Sequence, residues 1–327
     1  MDLVAQPAWA QQLHDRWRSE TDAARAEAAG SPTAPPLSAS GGRGLQRRCP
    51  WHKALRTLMA RSLLNFSRQT GMIWARCAQI MLWACVLVPV YAPIGNSQNS
   101  ITSRIGLLYQ SLGMLFAGTL NNVAVFPIER DVFLRERVDG LYSTAPFFIV
   151  YSCIELVQEA CTAAVAGIII VQAIGLVADF QAQCVYIAVM VGCLFNGESL
   201  GIALNSAMVH AGASLNIING LCAVIQIISG FMANDLPPLL VAMNKISPQM
   251  YACRALALSQ FPPELKFKCD ASSPICIQSG SEVLRMLAMD GDGSVRSNLI
   301  GLLVLSLFYR FMSFLALHYR ARKVGRM

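Results

Sequence analysis

The sequence is short of charge: 14% of its 327 residues are Asp, Glu, Lys or Arg, against about 25% in ordinary soluble domains. A water-soluble enzyme of this length needs charged side chains to cover its surface, so that class is excluded. Lys and Arg are missing altogether from Val138 to Asn244. The eleven cysteines form no CxxC pair, which excludes a paired-cysteine zinc site, and most sit in apolar runs as small hydrophobes. Residues 1–50, rich in Ala, Gln, Ser, Pro and Gly, contain no apolar h-region, and a secretory signal peptide is not expected. No GxxxxGK[ST] phosphate loop occurs, so no backbone cradle for ATP phosphates is expected in these residues. Nor is there a basic surface interleaved with aromatics, which argues against a nucleic-acid partner.

What is present is apolar: 54% of the chain is hydrophobic. The scarce positive charge collects at the ends of the apolar runs, with eight basic residues between Arg43 and Arg76 and four in the last eight positions. Charge placed this way sets topology in a membrane protein.

After the polar N-terminal segment and linker (1–50), a helical period begins. Trp51, Leu55, Leu58, Met59, Leu63 and Phe66 share one face, and Lys53, Arg56, Arg61 and Arg68 the other. A basic amphipathic helix over 51–68, lying at the membrane surface, is expected. Six spans of membrane-crossing length follow, at about 72–91, 105–126, 147–177, 185–209, 215–232 and 299–317, with an external loop over 233–298. Arg76 would snorkel to the headgroups. The runs lack strict alternation, and buried backbone must bond internally, so the fold class is all-α with six transmembrane helices. The basic N-terminal block, Arg130 to Arg137 and Arg320 to Arg326 all belong on the cytosolic side, which places both termini there. The external loop carries six basic residues, but at its length the charge rule weakens.

Between spans two and three the chain reads Phe126-Pro127-Ile128-Glu129-Arg130-Asp131-Val132-Phe133-Leu134-Arg135-Glu136-Arg137-Val138-Asp139-Gly140-Leu141-Tyr142, with seven charges in the first fourteen residues. A short amphipathic helix at the membrane surface is the expectation; a solvated loop is the plain alternative. Elsewhere the carboxylates Glu155, Glu159 and Glu198 lie within apolar spans, far in sequence from any base. They are expected to be protonated and hydrogen-bonded, because unpartnered burial of a charge is costly. No nucleophile or metal-ligand arrangement accompanies them, which excludes a paired-carboxylate hydrolase. His210 reads as structural, and the Asn65-Phe66-Ser67 sequon as cytosolic and unmodified.

The segment at 126–142 resembles the coupling segment of the White-type, or G-subfamily, ATP-binding cassette exporters. Ser229-Gly230, Ile246-Ser247-Pro248-Gln249-Met250-Tyr251, Phe267-Lys268-Cys269 and Cys276 to Leu284 extend the resemblance over about 51–323. It implies a type-2 exporter transmembrane domain over 51–327 that pairs with a second transmembrane half, in a homo- or heterodimer, with an ATP-binding cassette domain holding the ATP and Mg. It also implies that Glu129, Arg130, Arg135, Glu136 and Arg137 contact that domain. The fifth helix then lines the substrate path, bringing in Asn219 and Gln226, which with Asn216 share a polar stripe. Such amides also serve as interhelical glue. Phe231 and Met232 would form an apolar gate. The second-helix positions that some relatives use for substrate contacts hold Met114 and Ala117, a departure that speaks against aromatic-drug specificity. A disulfide between Cys269 and Cys276 is implied, leaving Cys253 free, buried or paired across a dimer. The expected function is passage of amphipathic or lipid-like molecules across the plasma membrane or another secretory-pathway membrane, with no cofactor on this chain. The alternative is a non-transporting regulatory subunit or a truncated transporter.

Overall fold

The computed structural model describes residues 49–325 except 69, 178, 209–210, 232–236, 269–275, 290 and 292, and leaves the side chains at 72 and 211–214 undescribed. The N-terminal segment, His210, Met232 and Cys269 therefore lie outside the described residues.

The described residues form α-helices joined by short connections, and the only strand-like pairings among them are two isolated bridges, Ser97 with Lys268 and Lys266 with Ser279. The helices are α1 (Trp51–Arg68), α2 (Thr70–Tyr91), α3 (Gln98–Leu112), α4 (Met114–Val138), α5 (Thr144–Ile174) and α6 (Phe180–Ala207). They continue with α7 (Ala211–Ile227), α8 (Pro238–Lys245), α9 (Pro248–Gln260), α10 (Gly280–Met286) and α11 (Val295–Val324). Among the described residues, five stretches are long and apolar enough to cross a membrane: 73–91, 98–138, 144–174, 180–207 and 295–324. The fifth expected span, α7, is apolar but only 17 residues long and ends at Ile227.

The amphipathic α1 forms where its period predicts. Ala54 and Leu58 bury against α5, while Trp51, Leu63 and Leu64 stay exposed, as suits a helix bathed partly by lipid.

The second span differs from its expected bounds of 105–126. α3 and α4 meet at Gly113, which keeps a right-handed helical φ of −60° and donates its N–H to the Gln110 carbonyl at 2.9 Å, so the helix tightens for one turn and continues. Pro127 lies within α4 without ending it. The charged segment expected as a separate short helix is instead the last part of the membrane-spanning one; the true loop is 139–143. A rigid extension replaces a hinged surface helix.

α6 is the central element, packing against α4, α5, α9 and α11. Its crossing with α4 is made by two glycines. A Cβ on Gly197 would fall 1.9 Å from the Leu115 carbonyl oxygen, and one on Gly118 2.2 Å from that of Leu194. Only hydrogen fits at either place, and the resulting close approach lets Thr119 Oγ1 donate across the crossing to the Gly197 carbonyl at 3.1 Å.

The expected external loop contains a buried helix. α9 places Ala252, Cys253, Ala255, Leu256 and Ala257 in the main core, against Leu112, Ile170, Ile174 and Met190. Its small apolar residues let it insert between α3, α6 and α11, with Ser247 and Pro248 starting it cleanly. A second core joins α1, α4, α5, α6 and α11 around Phe126, Phe133, Phe147, Phe148 and Tyr151.

Candidate coupling and transport site

The charged end of α4 is clamped. Glu136 receives Arg61 of α1 at 2.5 Å and the hydroxyl of Tyr142 on its other carboxylate oxygen. Beneath this pair, Phe133 stacks on Phe147 with centroids 4.4 Å apart. Arg137 donates to the Thr144 hydroxyl at 2.7 Å and so spans the turn into α5. Burial, reinforced by the bond to Glu136, pushes the Tyr142 phenol above its ordinary value. At Arg61 burial opposes the charge, yet Glu136 outweighs it and the guanidinium is held more firmly protonated.

Arg130 turns inward. It is buried, donates to the Asn205 carbonyl on α6 and pairs with Asp131 at 2.9 Å. Arg135 alone of the five expected coupling residues is exposed, on a surface shared with Ile128, Val132 and Asp139. Glu129 lies beside a cleft under α1. One segment thus divides into an outward face, a clamp and an internal strut.

Deeper in the helices, the buried carboxylates have partners that the apolar runs do not suggest. Arg76 ion-pairs with Glu155, and Arg310 with Glu198 at 2.9 Å. Arg76, expected to reach the headgroups, is half-buried and paired with a carboxylate of α5. Arg310 also donates to Ser152 at 2.9 Å and lies 4.5 Å over the Phe195 ring. Asn122 donates to the Tyr151 hydroxyl at 3.1 Å, and Asn196 to Ser306 at 2.7 Å. An arginine thus stands beside each of Glu155 and Glu198, a partner that the apolar runs do not announce. Glu159 Oε2 has no hydrogen-bond partner. No group of residues capable of holding a metal occurs among the described residues.

The family description "ABC-2 type transporter" matches residues 53–261. The chain belongs to the ABC-2 type transporter family. Its fold is accordingly the all-α type-2 ABC transmembrane fold, of the G type. Among curated proteins it is 32% identical over 213 residues to an uncharacterized ABC transporter ATP-binding protein/permease of Saccharomyces cerevisiae, covering 64% of this chain and 16% of that protein. It is 25% identical to ABC transporter G family member 1 of Dictyostelium discoideum over 81% of this chain and 35% of the relative. It is also 25% identical to ATP-binding cassette sub-family G member 5 of Rattus norvegicus, over 67% of this chain and 34% of the relative. The chain therefore spans about a third or less of these relatives' length.

Within this ABC-2 domain the expected path residues are dispersed. Asn216 and Asn219 lie exposed on α7 beside Ile217, Leu221 and Val224. Gln226 points inward and donates to the Tyr109 carbonyl at 3.2 Å, acting as glue between α7 and α3. Met114 is buried in the main core, Ala117 is half-buried against it, and Phe231 is buried within it; they line no open path in a single chain. Cys276 is disulfide-bonded, while Cys253 is free and buried. Sequence reasoning missed Arg310, although a lone arginine inside the last apolar run is a signal of a buried counter-charge.

Proposed function

We propose that this ABC-2 domain is the transmembrane half of an ATP-driven exporter that forms the path for amphipathic or lipid-like molecules. A second half pairs with it along the exposed face of α7, where Asn216 and Asn219 lie among uncovered apolar side chains. ATP and Mg belong to an ATP-binding cassette domain, which docks on the exposed Arg135 face at the cytosolic side. Both termini are cytosolic, and the membrane is the plasma membrane or another of the secretory pathway.

One observation carries this reading: the charged segment is continuous with the span itself and is tied to α1 through Glu136. A push at Arg135 has no flexible joint in which to dissipate, because Phe133, Phe147 and Tyr142 fill the angle between α4 and α5. Transmission needs two states with different contacts at each end, and a rigid lever with one exposed tip can supply them. The printed name of the yeast relative, an ATP-binding protein/permease, is in keeping with this division of labour.

The test is co-reconstitution with the ATP-binding subunit that co-purifies, measuring substrate-stimulated ATPase. Arg135→Ala and Glu136→Ala are expected to abolish stimulation while assembly persists. Unchanged stimulation in both variants, or labelling of position 135 from the external side, overturns the proposal.

A further inference from the structure

The turn between α5 and α6, the end of α9 with the turn after it, and the start of α11 enclose a half-open cavity of about 320 Å³. It lies far from the charged segment, because Arg130 touches Asn205 near the other end of α6, about 40 Å from Asp179 at the helical rise. The volume suits a small organic molecule: a dry cavity of about 150 Å³ already takes a benzene ring. Val185, Leu258 and Pro262 form an apolar wall, and Asp179, Gln181, Ser259 and Glu264 supply the polar atoms. Two of these four are carboxylates, and among the described residues no basic side chain lines the cavity.

The fold itself uses neither carboxylate. Asp179 is the N-cap of α6, where an aspartate ordinarily accepts from the first helical N–H groups, yet its side chain makes no capping bond. Glu264 stands in the turn after α9, and neither side chain has an ion pair among the described residues. Both are open to water. Charges of one sign around an apolar-walled cleft focus their field into it and draw in the opposite charge.

An observation independent of these charges also points to an occupant. Gln260 of α9 is fully buried, and its Oε1 accepts the N–H of Val177, a lining residue, at 3.0 Å. Its Nε2 has no hydrogen-bond partner. Both atoms sit on one carbon, so an unsatisfied donor lies against the Val177 wall. Buried donors are rarely left this way, and an acceptor oxygen on a ligand, or a water trapped with it, completes the set. A metal ion fits poorly: it needs several converging oxygens, and no group of residues able to hold one occurs among the described residues.

We infer that this cavity binds a protonated amine carried on a compact apolar body, with the ammonium group held by Asp179 and Glu264. The site goes beyond the transport reading and does not depend on it, since binding is measured without ATP and with both faces of the membrane open.

The experiment is titration calorimetry on the full chain in phosphatidylcholine nanodiscs. The probe is phenylethanolamine, which joins an ammonium group, a hydroxyl and a ring; phenylethanediol is its neutral counterpart, mandelate its anionic one, and ethanolamine lacks the ring. Phenylethanolamine is expected to bind saturably with one site per chain, the diol and mandelate not to bind, and ethanolamine to bind at least about tenfold more weakly. Asp179→Asn and Glu264→Gln should each weaken the probe at least about tenfold. Asp179→Asn breaks no capping bond, so its unfolding midpoint should match the parent and its loss of binding reads charge alone; Glu264→Gln gives the same reading from a separate segment. Ser259→Trp, which fills the cavity and keeps both carboxylates, should abolish binding. Asp139→Asn, which removes an exposed carboxylate at the distant end of the helices, should leave it unchanged. Equal binding of the diol or of ethanolamine, normal binding by Ser259→Trp, or equal losses in Asp139→Asn and the two site variants would overturn the assignment.

Discussion

Arg310 of α11 holds Glu198 of α6 at 2.9 Å, with both side chains buried. Removing one partner of a buried pair strands the other, at a cost of about 3–5 kcal/mol. Glu198→Gln and Arg310→Met are each expected to lower the unfolding midpoint sharply in nanodiscs. The double variant should lose less than the sum of the two, because neither charge is then abandoned. Additive losses would show that the two side chains act separately.

The glycine crossing gives a second expectation. Gly197→Ala forces a methyl group into the Leu115 carbonyl, which cannot move without displacing α4. Overpacking of about 1–3 kcal/mol is the lower bound for a clash with backbone, and the folded yield should fall. Gly220→Ala is the control: a Cβ there meets nothing within 4 Å, and the better helix former should be neutral or slightly stabilising. Size-exclusion profiles and unfolding midpoints of the two variants decide it.

Tyr142 links the clamp to pH. Its phenol is raised in the folded state by burial and by donation to Glu136, whereas the unfolded chain titrates near pH 10. Above about pH 10 the unfolded state therefore holds fewer protons than the folded one, and stability falls as pH rises further. Its contribution is complete below that pH. Tyr142→Phe should cost about 1 kcal/mol at neutral pH and remove this part of the alkaline decline. Denaturation curves between pH 8 and pH 11, values bracketing that onset at about pH 10, test it; an unchanged alkaline slope in the variant counts against the linkage.

Arg135 and Glu136 are neighbours with opposite fates, one exposed and one clamped. Arg135→Ala should change stability by no more than about 0.5 kcal/mol. Glu136→Ala frees Arg61 and Tyr142 together and should destabilise by about 1–3 kcal/mol. Comparing the two midpoints in the same membrane separates contact with a partner from internal support.

Read one-dimensionally, the residues disclose a good deal. The amphipathic period from Trp51, the apolar runs and the charged stretch from Glu129 to Arg137 are local patterns, because helix periodicity and desolvation act on neighbours in sequence. They suffice for an all-helical membrane domain and for the family. The candidate site is only partly legible in this way. Six charged residues on α4 look alike in a string, yet Arg130 faces Asn205, Glu136 faces Arg61 and Arg135 faces outward.

Which way each side chain turns depends on where helices cross, and that was decided by tertiary structure. Gly197 and Gly220 are the same residue and each follows an asparagine, but of the two only the first meets another backbone. Once α4 and α6 close on that point, Arg310 and Arg76 reach the buried carboxylates from opposite ends of the sequence, and α9 is drawn into a core that its place in a long loop does not announce. Local pattern determined the helices and their membrane; the pairing of distant charges and the burial of α9 were decided by packing, because each exists only between segments that sequence leaves far apart.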